Sequence, residues 1–103
     1  MYVNKTLALS YLAGSEKIFN KLRLSFLDSY KNFNNDILSF YNSCKYEELY
    51  RYIHNIKGIS LNLGSKQLYE DSVVLLEEFK KDVYNLSNIE KFLNTLNIVY
   101  KEL

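Results

Sequence analysis

The sequence predicts an all-α protein, an up-down antiparallel four-helix bundle with a short extra N-terminal helix. Three observations carry this. The 103 residues include no proline and only three glycines, at positions 14, 58 and 64. Apolar residues recur three and four apart along most of the chain, the period of a helix with one buried face. The polar breaks between these stretches are only a few residues long, and short connections make consecutive helices antiparallel neighbours. No stretch shows the strict alternation of a half-buried strand.

Taken in order, "MYVNKTLALSYLAG" supplies the short extra helix and ends at Gly14. Ser15 is placed to cap a helix carrying Ile18, Phe19, Leu22, Phe26 and Tyr30. The asparagine-rich "KNFNND" weakens the pattern before Ile37, Phe40, Tyr41 and Cys44, so this part is either two consecutive helices or one bent helix. From Tyr46 to about Leu63 runs a helix with Leu49, Tyr50, Ile53, Ile56, Ser60 and Leu63. Gly64 suits its C-terminal end, and Ser65 caps the next. That helix carries Leu68, Ser72, Leu75, Leu76, Phe79 and Val83. In "SNIE", Ser87 and Glu90 read as a capping box ahead of Ile89, Phe92, Leu93, Leu96, Val99, Tyr100 and Leu103.

Residues 1–103 form one domain, large enough for a real hydrophobic core without staples. A content of 48% hydrophobic residues is that of a globular chain. The single cysteine, Cys44, excludes an internal disulfide, reads as a small buried hydrophobe and fits a reducing, cytoplasmic setting. A net charge of +1 without a basic cluster points to neither nucleic acid nor an anionic membrane. No apolar run reaches the roughly 18–20 residues of a membrane span. Lys5 ahead of Leu7 to Ala13 is too weak a pattern for a signal peptide. The ten tyrosines fall mostly at apolar helical positions, as core or rim packing.

His54 is the only histidine. At about 100° per residue, it lies roughly 120° from the centre of the arc holding Leu49, Ile53, Ile56, Ser60 and Leu63, on the solvent side. Its neighbours one and two turns away are Tyr50, Lys57, Gly58 and Leu61. With no second histidine, no HExxH and no cysteine pair, a metal site lacks ligands. No carboxylate stands one turn away to orient the ring for a triad. A nucleophilic imidazole that itself carries a group fits what is left. Lys57 places positive charge beside an anion on His54, for which phosphoryl is the natural cargo. Gly58 costs about 1 kcal/mol within a helix and leaves room for a second protein to reach the ring.

The stretch His54-x-x-Lys57-Gly58-x-Ser60-x-x-Leu63-Gly64 resembles the signature of histidine-containing phosphotransfer (HPt) domains. The resemblance extends over most of the chain. "LAGSEKIFNKLRLSFLDSY" is similar to the family's first long helix, "YNSCKYEELYRYIHNIKG" to the turn into the histidine helix, and "KQLYEDSVVLLEEFKK" to the helix after it. Two positions depart: Ile53 stands where the family usually has a small residue, and "NSCKY" replaces a turn that often carries Asp. These bear on partner choice more than on phosphoryl chemistry.

The resemblance implies a phosphorelay carrier of two-component signalling. His54 would accept phosphoryl from a receiver-domain aspartate, at the ring nitrogen farther from the backbone, and pass it to a response regulator. Lys57 would stabilise the phosphoryl group and Gly58 keep the approach open. Ser60 would let the histidine helix pack closely on its neighbour, and Gly64 would end it. No cofactor is implied, since the catalytic aspartates and magnesium belong to the receiver. The implied partners are receiver domains and a hybrid or separate histidine kinase. Tyr50 and Leu61 are the candidate apolar docking patch, with Arg51, Lys66 and Gln67 as further candidates. The chain reads as a free-standing, monomeric carrier. Two other readings fit the same residues: a phospho-acceptor charged by a separate chemotaxis-type kinase, and a helical adaptor that binds receivers without being phosphorylated.

Overall fold

Polar caps and left-handed turns divide the chain into helices. The computed structural model describes residues 1–103 and contains six helices and no strand: α1 (Lys5–Tyr11), α2 (Glu16–Ser29), α3 (Phe33–Asn42), α4 (Tyr46–Ser60), α5 (Lys66–Lys80) and α6 (Leu86–Glu102). The asparagine-rich segment therefore separates two helices. Ser15 and Ser65 act as N-caps, their hydroxyls accepting from the backbone N–H of Ile18 and Leu68, each at 3.2 Å. Asn4 does the same for α1, accepting from Leu7 N–H at 3.1 Å.

Three C-terminal ends close with the same pair of bonds, one reaching back five residues and one three. After α3, Lys45 N–H donates to Phe40 O (2.8 Å) and Cys44 N–H to Tyr41 O (3.2 Å). After α4, Ser65 donates to Ser60 O and Gly64 to Leu61 O, both at 2.9 Å. After α5, Val83 donates to Glu78 O (2.9 Å) and Asp82 to Phe79 O (3.0 Å). Each turn needs a left-handed residue: Cys44 at φ 55°, Gly64 at 85° and Asp82 at 58°. Regular α4 thus stops at Ser60, and Leu61 to Leu63 continue it as a capping turn.

These turns account for three departures from the sequence expectations. Cys44 is exposed rather than buried, because it is the left-handed residue of a surface turn. There it accepts a bond from the Tyr46 hydroxyl at 3.6 Å, which is the main influence raising that phenol's pKa. Val83 lies outside α5 and is exposed, since the turn at Asp82 swings it outward. Tyr84 takes the inward place instead, its ring 3.8 Å from Tyr46 and 5.0 Å from Phe79. With Tyr84 held there, the chain is extended one residue later, so Asn85 rather than Ser87 caps α6, accepting from Asn88 N–H at 3.2 Å. Ile18 also differs: it sits at the flank of the α2 stripe, 47% exposed, while Phe19 and Phe26 point inward.

Sixteen buried apolar residues form one core, among them Leu49, Ile53, Ile56, Leu63, Leu68 and Leu75. α4 and α5 share the most extensive contact, α5 packs on α6, and α3 on α4. α6 closes back on α2: the Tyr100 hydroxyl donates to Leu27 O at 2.7 Å and Arg23 Nη1 to Leu103 O at 2.9 Å. Ser60 and Ser72 are fully buried. Their hydroxyls donate to Ile56 O and Leu68 O one turn back, so neither leaves a polar group unpaired. Tyr52 joins α4 to α3 by donating to Asp36 Oδ2 at 2.9 Å, and burial together with that carboxylate pushes its phenol above the usual range. Seven of the ten tyrosines pack against the core from its rim. No helix is long and apolar enough to cross a membrane.

The segment before α1 lies on the α4–α5 turn. Asn4 N–H donates to Gly64 O at 2.8 Å, and a Cβ at position 64 would overlap the Asn4 carbonyl. Gly64→Ala should therefore cost at least about 2 kcal/mol, combining left-handed strain with a clash against backbone. Cys44→Gly, at the same kind of turn, should stabilise by about 1 kcal/mol. Urea unfolding of both variants checks the pair. A Gly64→Ala protein as stable as the parent would show that Asn4 is not seated on the turn.

Candidate functional site

His54 stands on the side of α4 opposite the buried Ile53 and Ile56, exposed to solvent. One turn before it is the half-buried Tyr50, whose ring lies 6.1 Å away, centroid to centroid, and within 16° of parallel. Neither imidazole nitrogen is hydrogen-bonded to a protein group, and no carboxylate orients the ring. The ring thus has a nitrogen free to act as a nucleophile, without the relay of a triad.

A surface depression of about 350 Å³ opens beside the ring. Tyr11, His54, Lys57, Gly58, Leu61, Asn62 and Tyr69 line it, so its walls come from α1, α4, the turn after α4, and α5. Lys57 is the only residue of fixed charge among them, and no acid offsets it. The half-buried Lys57 side chain extends to place Nζ 6.0 Å from the centroid of the Tyr69 ring. Such a surface suits an anionic group attached to, or arriving at, the imidazole.

Gly58 forms part of this opening. It is exposed, and a Cβ built on it would meet nothing within 4 Å. The fold gains no close packing from the missing side chain, although glycine weakens the helix by about 1 kcal/mol relative to alanine. Gly64 differs in kind, being required by its turn and by the Asn4 carbonyl.

The site residues expected from the sequence divide accordingly. His54, Lys57, Gly58 and Leu61 are brought together, with Tyr50 against the histidine. Ser60 is buried and Gly64 seals the turn, so both support the site from behind. Arg51, Lys66 and Gln67 do not line the depression. Arg51 is exposed, 3.4 Å from Glu47, and borders a different hollow with Phe40, Glu48, Tyr52 and Asn55. Lys66 lies 3.8 Å from Glu70. Gln67 turns its amide to Asp71 Oδ1 at 2.9 Å, while the other oxygen of that carboxylate accepts from Thr95 of α6 at 2.6 Å. The amide of Gln67 thus belongs to the α5–α6 seam.

Three lining residues were not anticipated from the sequence. Asn62 shares the His54 side of the helix, two turns on, as the 100° spacing per residue places it. Tyr69 and Tyr11 belong to other helices and become neighbours of His54 only through packing. In comparisons with models of known protein families, with curated proteins and with solved structures, nothing matches this chain.

Proposed function

We propose that this protein is a histidine phosphocarrier of the HPt kind, relaying phosphoryl groups between receiver domains of a cytoplasmic two-component pathway. On this reading α2 and α3 together, α4, α5 and α6 are the four helices of an up-down antiparallel bundle, and α1 is the short extra helix. The observation that carries the reading is the combination on one exposed face of α4: a histidine with free ring nitrogens, a lysine one turn on, and a glycine the fold itself does not need. A glycine retained at a helix-weakening position, open to solvent beside a nucleophile, fits a surface that a partner must approach closely.

The chemistry asked of His54 is one displacement. An unprotonated ring nitrogen attacks the phosphorus of an aspartyl phosphate in the receiver. The N–P bond forms, the P–O bond to the aspartate breaks, and the carboxylate leaves with the electron pair. The second ring nitrogen keeps its proton. Lys57 supplies positive charge to the phosphoryl oxygens as they arrive and while they reside on His54. Phosphate transfer depends chiefly on positioning and charge stabilisation, and the reverse step discharges the group onto a response regulator. Tyr50, Leu61, Tyr11 and Tyr69 offer aromatic and apolar surface around the ring for the partner's docking face.

Two measurements test this. Incubated with ³²P-labelled phospho-receiver domains, the protein should acquire acid-labile, alkali-stable label that His54→Gln abolishes, with stability changed by less than about 0.5 kcal/mol. Receivers that bind without transferring label would favour an adaptor, and label acquired only from a kinase and ATP would favour the chemotaxis-type acceptor. Gly58→Leu should raise helix stability by up to about 1 kcal/mol while blocking transfer from a receiver. Unimpaired transfer by that variant would remove the docking explanation of the glycine.

A further inference from the structure

Lys57 differs from several other basic side chains of the molecule. Arg51, Lys66 and Lys80 lie 3.4–3.8 Å from Glu47, Glu70 and Glu77 on their own helices, so their charges are locally offset. Lys57 pairs with no carboxylate. Its helix neighbours at three and four residues are Ile53, His54, Ser60 and Leu61. Its ammonium instead lies over the Tyr69 ring, 6.0 Å from the centroid.

Resting on the phosphocarrier reading, we infer that Tyr69 is a positioning residue, whose ring holds the Lys57 ammonium at the His54 depression so that its charge meets the phosphoryl group. A lysine has a long, flexible stem and a strongly hydrated head, so one left unpartnered samples many positions. A carboxylate would hold the head in place and also cancel its charge. The face of an aromatic ring attracts a cation through its quadrupole and carries no net charge, so it restrains the ammonium and leaves the charge available to an anion. Tyr69 is well fixed for this role. It is half-buried in the first turn and a half of α5, its N–H donates to Ser65 O at 3.2 Å, and Ser65 itself caps that helix. The α4–α5 turn thereby holds the backbone that carries the ring.

The test uses the whole chain and phosphoramidate, a small donor that needs no docking partner. Its P–N bond breaks as the N–P bond to His54 forms, and ammonia leaves, protonated from solvent. Tyr69→Leu should slow phosphorylation of His54 about two- to five-fold, the weight of a surface cation–π contact. Tyr69→Phe, which keeps the ring, should stay near the parent rate. On a Lys57→Gln background, Tyr69→Leu should have no further effect, because its action runs through the lysine. The Lys57 ε-protons should show an upfield ring-current shift in the unmodified protein and in Tyr69→Phe, and lose it in Tyr69→Leu. Equal slowing by Tyr69→Leu with and without Lys57 would overturn the inference, as would equal slowing by Phe and Leu or an unshifted lysine in the unmodified protein. If the parent is phosphorylated and Tyr69→Leu matches it, this inference alone fails. If His54 in the parent takes no phosphoryl from phosphoramidate or any phospho-receiver, the phosphocarrier reading fails and the role of Tyr69 with it.

Discussion

The left-handed turn at Gly64 is the constraint on which the site depends. Ser65 N–H reaches back to Ser60 O and ends α4, while the Ser65 hydroxyl receives Leu68 N–H and starts α5. The Gly64 carbonyl accepts Asn4 N–H, which seats the segment leading into α1. Two adjacent residues thus relate three helices, and those three wall the depression beside His54. A side chain at position 64 would meet both obstacles at once, the positive φ and the Asn4 carbonyl.

Core and candidate site are separated around the circumference of α4. Leu49, Ile53 and Ile56 are wholly buried, and Ser60 joins them as a small polar residue whose hydroxyl is satisfied within its own helix. His54 and Gly58 stand away from them in solvent, with Lys57 half-buried at the boundary. Because the exposed residues contribute little to the core, they can be chosen for reactivity and access. Gly58 marks the division: it weakens the helix and leaves open space where any other residue would project a side chain.

The charge arrangement follows the same division. Several basic residues elsewhere on the surface sit beside acids of their own helices, pairs worth little to stability when this exposed. Within the depression no acid is present, so Lys57 is not offset there. Aromatic rings stand there instead, Tyr50 beside the histidine and Tyr69 near the lysine ammonium.

Much of this was determined by the sequence alone. Helical periodicity and the absence of proline settle an all-helical chain, and Ser15, Ser65 and Gly64 mark boundaries, because caps and left-handed turns are local and need only neighbouring residues. The side of α4 on which His54, Lys57 and Gly58 lie follows from 3.6-residue geometry in the same way. Tertiary structure decided the rest. Cys44 adopts the left-handed conformation that glycine, asparagine and aspartate favour, so no local signal distinguished its turn, and the packing of Tyr84 against Tyr46 and Phe79 moved the α6 cap from Ser87 to Asn85. Gln67 turned to Asp71, and Arg51 to Glu47. Tyr11 and Tyr69 reached His54 because Gly64 and Asn4 fix how three helices meet. Contacts between residues distant in the chain depend on helix register and crossing, which the period of a single helix does not encode.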